Sequence, residues 1–143
     1  VAMMPDGKQS SRAMNLALHD AQVNKEEGDY INFHGTSTLI NDKVETLAVK
    51  QTFNSQAMNI PSSSTKSMVG HPQGASGALG VTVSALSLKN GFMTPTINME
   101  NPDPECDMDY VANVGRESKI NIAVSNCISF GSKNSAIVLK NFR

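Results

Sequence analysis

Apolar and polar positions along the chain fall into segments of two different periods. Between residues 11 and 23, Met14, Ala17, Leu18 and Ala21 recur at the i, i+3, i+4, i+7 spacing of one helix face, and Ser10 or Ser11 stands where an N-cap belongs. This predicts a first helix. After the charged turn at 25–29, Tyr30-Ile31-Asn32-Phe33-His34 alternates, which places Ile31 and Phe33 on one side of a short strand ending at His34. Asn41 or Asp42, with Glu45 three residues beyond Asp42, reads as a capping box that opens a second helix carrying Val44, Leu47, Ala48 and Phe53. A strand near 60–63 leads into Ser64-Thr65-Lys66-Ser67-Met68-Val69-Gly70-His71, a loop without periodicity that again ends on histidine.

From Gln73 to Asn90 the apolar residues Ala75, Ala78, Leu79, Val81, Val83, Ala85, Leu86 and Leu88 cover most of a helical wheel, predicting a helix buried on all sides. Gly74, Gly77 and Gly80 each disfavour that helix by about 1 kcal/mol relative to alanine, so packing must hold it. Pro95, Pro102 and Pro104 punctuate an irregular stretch before two β-like runs, 120–128 and 135–140. The order α β α β α β β predicts an α/β domain with a mostly parallel sheet whose last two strands pair antiparallel. A helix apolar all round needs a second covering layer, and no segment of this chain supplies it.

The remaining global properties exclude more than they assign. At 143 residues the chain fits one domain. A net charge of −1 rules out a basic nucleic-acid footprint. No apolar run approaches the ~18 residues of a membrane span. Two cysteines without C-x-x-C spacing predict a reducing, cytoplasmic setting. The opening Val1-Ala2-Met3-Met4-Pro5-Asp6-Gly7 has no signal-peptide features and looks like a cut inside a longer protein.

His34 and His71 each close a strand at its carboxyl end, where α/β sheets place ligands. Their loops carry glycine and several hydroxyls, with one cation apiece, Lys66 in one and Lys43 just beyond the other. His19, inside an amphipathic helix, reads as surface. A metal site joining both histidines to Cys127 or Asp42 has no local spacing to support it, and none is assigned. No G-x-S-x-G elbow, G-x-G-x-x-G turn or Walker loop occurs.

The string His34-Gly35-Thr36-Ser37-Thr38, followed by Asn41-Asp42-Lys43 and Glu45, resembles the H-G-T-x-T…D-x-x-E block of the β-ketoacyl-[acyl carrier protein] synthases. Ser64 to His71 with Gly74-Ala75-Ser76-Gly77-Ala78 resembles their S-T-K-S-x-x-G-H-x-x-G-A-A-G-A block. Thr94 to Asn98, Asn101-Pro102-Asp103, Cys106 to Asp109 and Asn126 to Asn134 follow in family order. The resemblance implies the C-terminal half of a thiolase-like fold, a mixed sheet with a buried helix layer. Residues 1–143 would form that domain without its first strand, incomplete until joined to an N-terminal half that holds the nucleophilic cysteine.

By the same resemblance the chain is similar to part of a KAS II-like enzyme that performs decarboxylative Claisen condensation in fatty acid or polyketide synthesis. His34 and His71 are then the catalytic histidines, Lys66 organises the second of them, and Thr36 and Thr38 contact a phosphopantetheine arm. Phe130 gates the acyl tunnel. No cofactor is implied beyond the arm carried by the substrate. The implied partners are the N-terminal half, acyl carrier protein and a second synthase subunit, as homodimer or heterodimer, and the isolated chain is expected to be inactive. Cys106 and Cys127 read as structural thiols. Two departures, Ser129-Phe130-Gly131-Ser132 in place of G-F-G-G and Gly80 in place of an acid, keep a second possibility open, a non-catalytic partner resembling a chain-length factor.

Overall fold

The computed structural model describes residues 4–129, 131 and 133–142. Four strands form the main sheet in the order β2-β1-β5-β6. Strand β1 (Tyr30–Asn32) runs parallel to both β2 (Ser62–Ser63) and β5 (Ile122–Ser129), and β6 (Lys133–Lys140) returns antiparallel to β5. The predicted parallel sheet with an antiparallel final pair is therefore present. Helices α1 (Lys8–Asp20) and α2 (Asn41–Phe53) pack against each other beside the sheet, and their shared core contains Met14, Leu18, Ile31, Phe33, Ala48, Val49, Phe53 and Val124. On the other side lies α4 (Ser76–Asn90), where Tyr30, Leu88, Met93, Val111, Ile120 and Ala123 form a second cluster.

Because side chains alternate across a strand, β1 and β5 serve both clusters. Ile31 and Val124, paired in register, face α1 and α2, while Tyr30 and Ala123 face α4. All of β1 is consequently buried, which is why its alternation disguises a two-sided strand.

Several local expectations need correction. Helix α1 begins at Lys8 after Gly7, so Ser10 and Ser11 lie inside it. Ser10 donates its hydroxyl to Asn134 at 2.8 Å, and the Ser11 hydroxyl accepts one from Thr52 at 2.9 Å. No capping box opens α2: the Asn41 amide donates to the Thr38 hydroxyl at 3.1 Å, Asp42 accepts from the Ser37 amide, and Glu45 turns inward. The loop after β2 contains one helical turn, α3 (Lys66–Val69), which no periodicity over four residues could announce. The proline-punctuated stretch holds a small antiparallel ribbon of β3 (Phe92–Met93) and β4 (Arg116–Glu117).

The largest difference concerns α4. Its sheet-facing side is polar and small, with Ser76, Gly80, Ser84 and Ser87 buried beside Leu88, while Ala78, Ala85 and Leu86 stand exposed. The wheel that looks uniformly apolar is in fact divided, and its apolar side points away from this chain's own sheet. Gly80 marks where helix and sheet come closest, since a Cβ there would lie 2.6 Å from Ser125 Oγ and 3.1 Å from Asn32 Oδ1.

Candidate active site

Both histidines are delivered by the carboxyl ends of neighbouring parallel strands, His34 two residues beyond β1 and His71 beyond β2 and α3. Their rings meet edge to face, with centroids 5.5 Å apart and planes at 82°. His34 is buried and His71 is open on the described surface. The residues that spacing alone left 37 positions apart are thus brought together by adjacent strands.

The surroundings set the state of each ring. Burial, reinforced by the nearby charges of Lys66 and His71, holds the His34 imidazole down to about 4, so it is neutral at physiological pH. His71 Nδ1 accepts the backbone N–H of Gln73 at 3.1 Å and lies 3.2 Å from the Ser76 hydroxyl. An amide N–H can only donate, so Nδ1 carries the lone pair and the neutral ring bears its proton on Nε2. Helix α4 therefore orients the second histidine through its first residue.

The loop carrying His34 is clamped by a carboxylate that the sequence reading left out of the site. Glu45, fully buried on α2, accepts the backbone amides of His34 and Gly35, each at 2.8 Å. Two side-chain amides also donate to it, Asn126 at 3.3 Å and Asn41 at 3.4 Å. Burial pushes the Glu45 carboxyl above its usual range while these donors pull it back. Its place in the D-x-x-E string and amid Val44, Ala48 and Val49 on a buried helix face were the available signals, and the capping-box interpretation assigned it to the helix start instead. Gly35 closes the clamp: at φ +41° it donates to Glu45, and an added Cβ would fall 2.4 Å from that of Ser64.

Lys66, half-buried at the start of α3, lies within electrostatic range of Glu45 and Cys127. Burial lowers its ammonium from the ordinary lysine value against the pull of both. Thr36, Thr38 and Lys66 line a cavity of about 700 Å³ that runs past Thr96, Cys106 and Tyr110. The histidines lie outside that lining. Cys106 is a free, half-buried thiol pushed up by burial, and Cys127 is free on β5 with its sulfur 3.9 Å from the position a Cβ on Gly77 would take. His19 is exposed on α1. Phe130 and Ser132, assigned to a gate, lie outside the described residues. Among the described residues, no three His, Cys, Asp or Glu side chains converge as a metal site, and no helix is long and apolar enough to cross a membrane.

A paired-imidazole site at the ends of parallel strands, clamped from α2 and bordered by a hydroxyl-lined cavity, defines a class that comparison with known proteins identifies. The family model of the β-ketoacyl synthase C-terminal domain matches residues 1–100, and this chain belongs to that family. It is 44% identical over 142 residues to 3-oxoacyl-[acyl-carrier-protein] synthase 2 of Synechocystis sp., and 44% identical over 141 residues to the synthase of the same name from Staphylococcus aureus. Each alignment covers 99% of this chain but 34% of the relative, so the chain spans about a third of those proteins' length.

Solved structures agree. A type II PKS ketosynthase in complex with its acyl-carrier protein superposes with a TM-score of 0.96 at 35% identity, over 99% of this chain and 35% of that one. A beta-ketoacyl synthase from Burkholderia phymatum gives 0.90 at 36% identity, over 97% and 34%. The fold is accordingly the C-terminal half of the thiolase-like ketosynthase fold.

Proposed function

We propose that this chain supplies the oxyanion-stabilising half of a β-ketoacyl-acyl carrier protein synthase. A malonyl thioester loses carbon dioxide when its C–C bond electrons flow into an enolate, and the negative charge gathers on the thioester oxygen. Two N–H donors converging on that oxygen stabilise the charge where it develops, and removing one such donor typically costs ~2.7–4 kcal/mol. The enolate carbon then attacks an acyl thioester on a cysteine in the part of the protein outside this chain, forming a C–C bond and releasing the cysteine thiolate. The convergence of His34 and His71, rings edge to face at 5.5 Å, carries this reading. The neutrality of His34 and the Nε2 proton of His71 support it.

In this reading Lys66 organises the second histidine, and Thr36 and Thr38 hold the pantetheine arm along the cavity they line. Acyl carrier protein and a second synthase subunit are the partners. A non-condensing partner subunit is the competing reading, because Gly80 stands where the family resemblance implies an acid, a departure that fits a divergent synthase equally well. The two separate in one assay. The full-length protein carrying this chain, given malonyl and acyl carriers, is expected to release a 3-ketoacyl product two carbons longer, whereas a non-condensing partner releases none.

A further inference from the structure

Asn126 is the one member of the Glu45 clamp that comes from the far strand. It lies on β5, turned toward α1 and α2, and its side-chain nitrogen divides two hydrogens between Glu45 Oε1 at 3.3 Å and Met14 Sδ at 3.5 Å. Its Oδ1 is buried without a partner among the described residues. An amide whose nitrogen faces a carboxyl oxygen that already accepts a backbone N–H is oriented by that hydrogen bond, because the flipped amide would set two acceptors against each other. Met14, a weak acceptor, does not account for the orientation.

We infer that Asn126 is a positioning residue for malonyl decarboxylation: it holds the Glu45 carboxyl that fixes the His34–Gly35 backbone, and so aims the buried histidine. This inference rests on the proposed synthase activity. Among the described residues the Asn126 side chain donates to Glu45 and Met14 and to neither histidine ring, so it acts through Glu45. The groups facing Glu45 come from every element around it: Asn41 on its own helix, the His34 and Gly35 amides after β1, the Lys66 ammonium on α3, Asn126 on β5, and uncharged Met14 on α1. Among the described residues facing Glu45, Lys66 is the only cation. With so few groups to carry a buried charge, the loss of one donor is felt directly at the carboxylate.

Asn126→Asp is the discriminating variant, since it keeps the shape and replaces the donor by a second carboxyl beside Glu45. Two carboxyls that close share a proton, and one titrates much higher. In the full-length protein carrying this chain, the acid limb of the pH–decarboxylation profile is expected to move upward by roughly one pH unit or more. The neutral-pH rate should fall roughly tenfold. Acyl transfer to the nucleophilic cysteine should stay near the parent rate. Asn126→Ser, smaller and uncharged, is measured in parallel, so that misfolding of one variant leaves the other, and it should show the same split without the full shift. A limb that does not move, with only the melting temperature lowered, overturns the inference and makes Asn126 structural. His34→Ala separates this from failure of the synthase reading. If that control abolishes decarboxylation while Asn126→Asp leaves the limb in place, the inference alone fails. If His34→Ala decarboxylates at the parent rate, the synthase reading fails with it.

Discussion

A buried imidazole beside an ammonium and a second imidazole has little reason to take up a proton, and His34 sits in that environment. The consequence for stability has a definite sign. Between pH 6.5 and about 4 the unfolded chain binds a proton at this residue that the folded chain refuses, so folding loses stability as pH falls through that window. Denaturation midpoints measured across it should therefore drop less steeply in His34→Gln than in the parent. An equal slope in both would mean that His34 titrates normally in the folded protein. The residue identities were legible in the sequence: the His-Gly-Thr and Ser-Thr-Lys strings announce themselves, and the structure brings His34, His71 and Lys66 into one region. Glu45 and Asn126 fall within the matched strings too, but their roles were not legible, because they lie in contacts between α2, the β1 loop and β5 that no local spacing encodes.

Among the elements, α4 departs most from its sequence pattern. Hydropathy on a helical wheel shows which residues are apolar but not which neighbour each side meets, and here serine and glycine meet the sheet while the aliphatic residues turn away. Close approach explains the choice, since Gly80 leaves no room for a methyl group against Ser125 and Asn32. Gly80→Ala is expected to destabilise by ~1–3 kcal/mol through overpacking, partly offset by better helix propensity, as read by chemical denaturation. Ser84 presents the opposite case. Its hydroxyl is fully buried without a partner among the described residues, so Ser84→Ala should be neutral or stabilising by up to ~1 kcal/mol, and a large loss would show that the hydroxyl is satisfied in the native protein. The strands were easier to foresee than their ends, because β2 and the β3–β4 ribbon are too short to show a period.

For the molecule as a whole, an exposed aliphatic side on α4, with Leu86 half open and Ala78 and Ala85 beside it, is a surface that calls for cover. The isolated chain is expected to associate in solution and to show no condensing activity, and Leu86→Glu should reduce that association in sedimentation experiments. A monomeric, fully soluble parent chain would contradict this. The relatives are about three times as long as this chain, and in the proposed reading the covering layer and the nucleophile lie in the part of the protein outside it. The central claim is that His34 and His71 act together on a developing oxyanion. Its most direct test is the rate of malonyl-carrier decarboxylation in the full-length protein with either histidine replaced by alanine, measured beside the rate of acyl transfer to the nucleophile. Each replacement is predicted to slow decarboxylation by ~10²–10³-fold while acyl transfer suffers far less; decarboxylation at the parent rate in both variants would contradict the account.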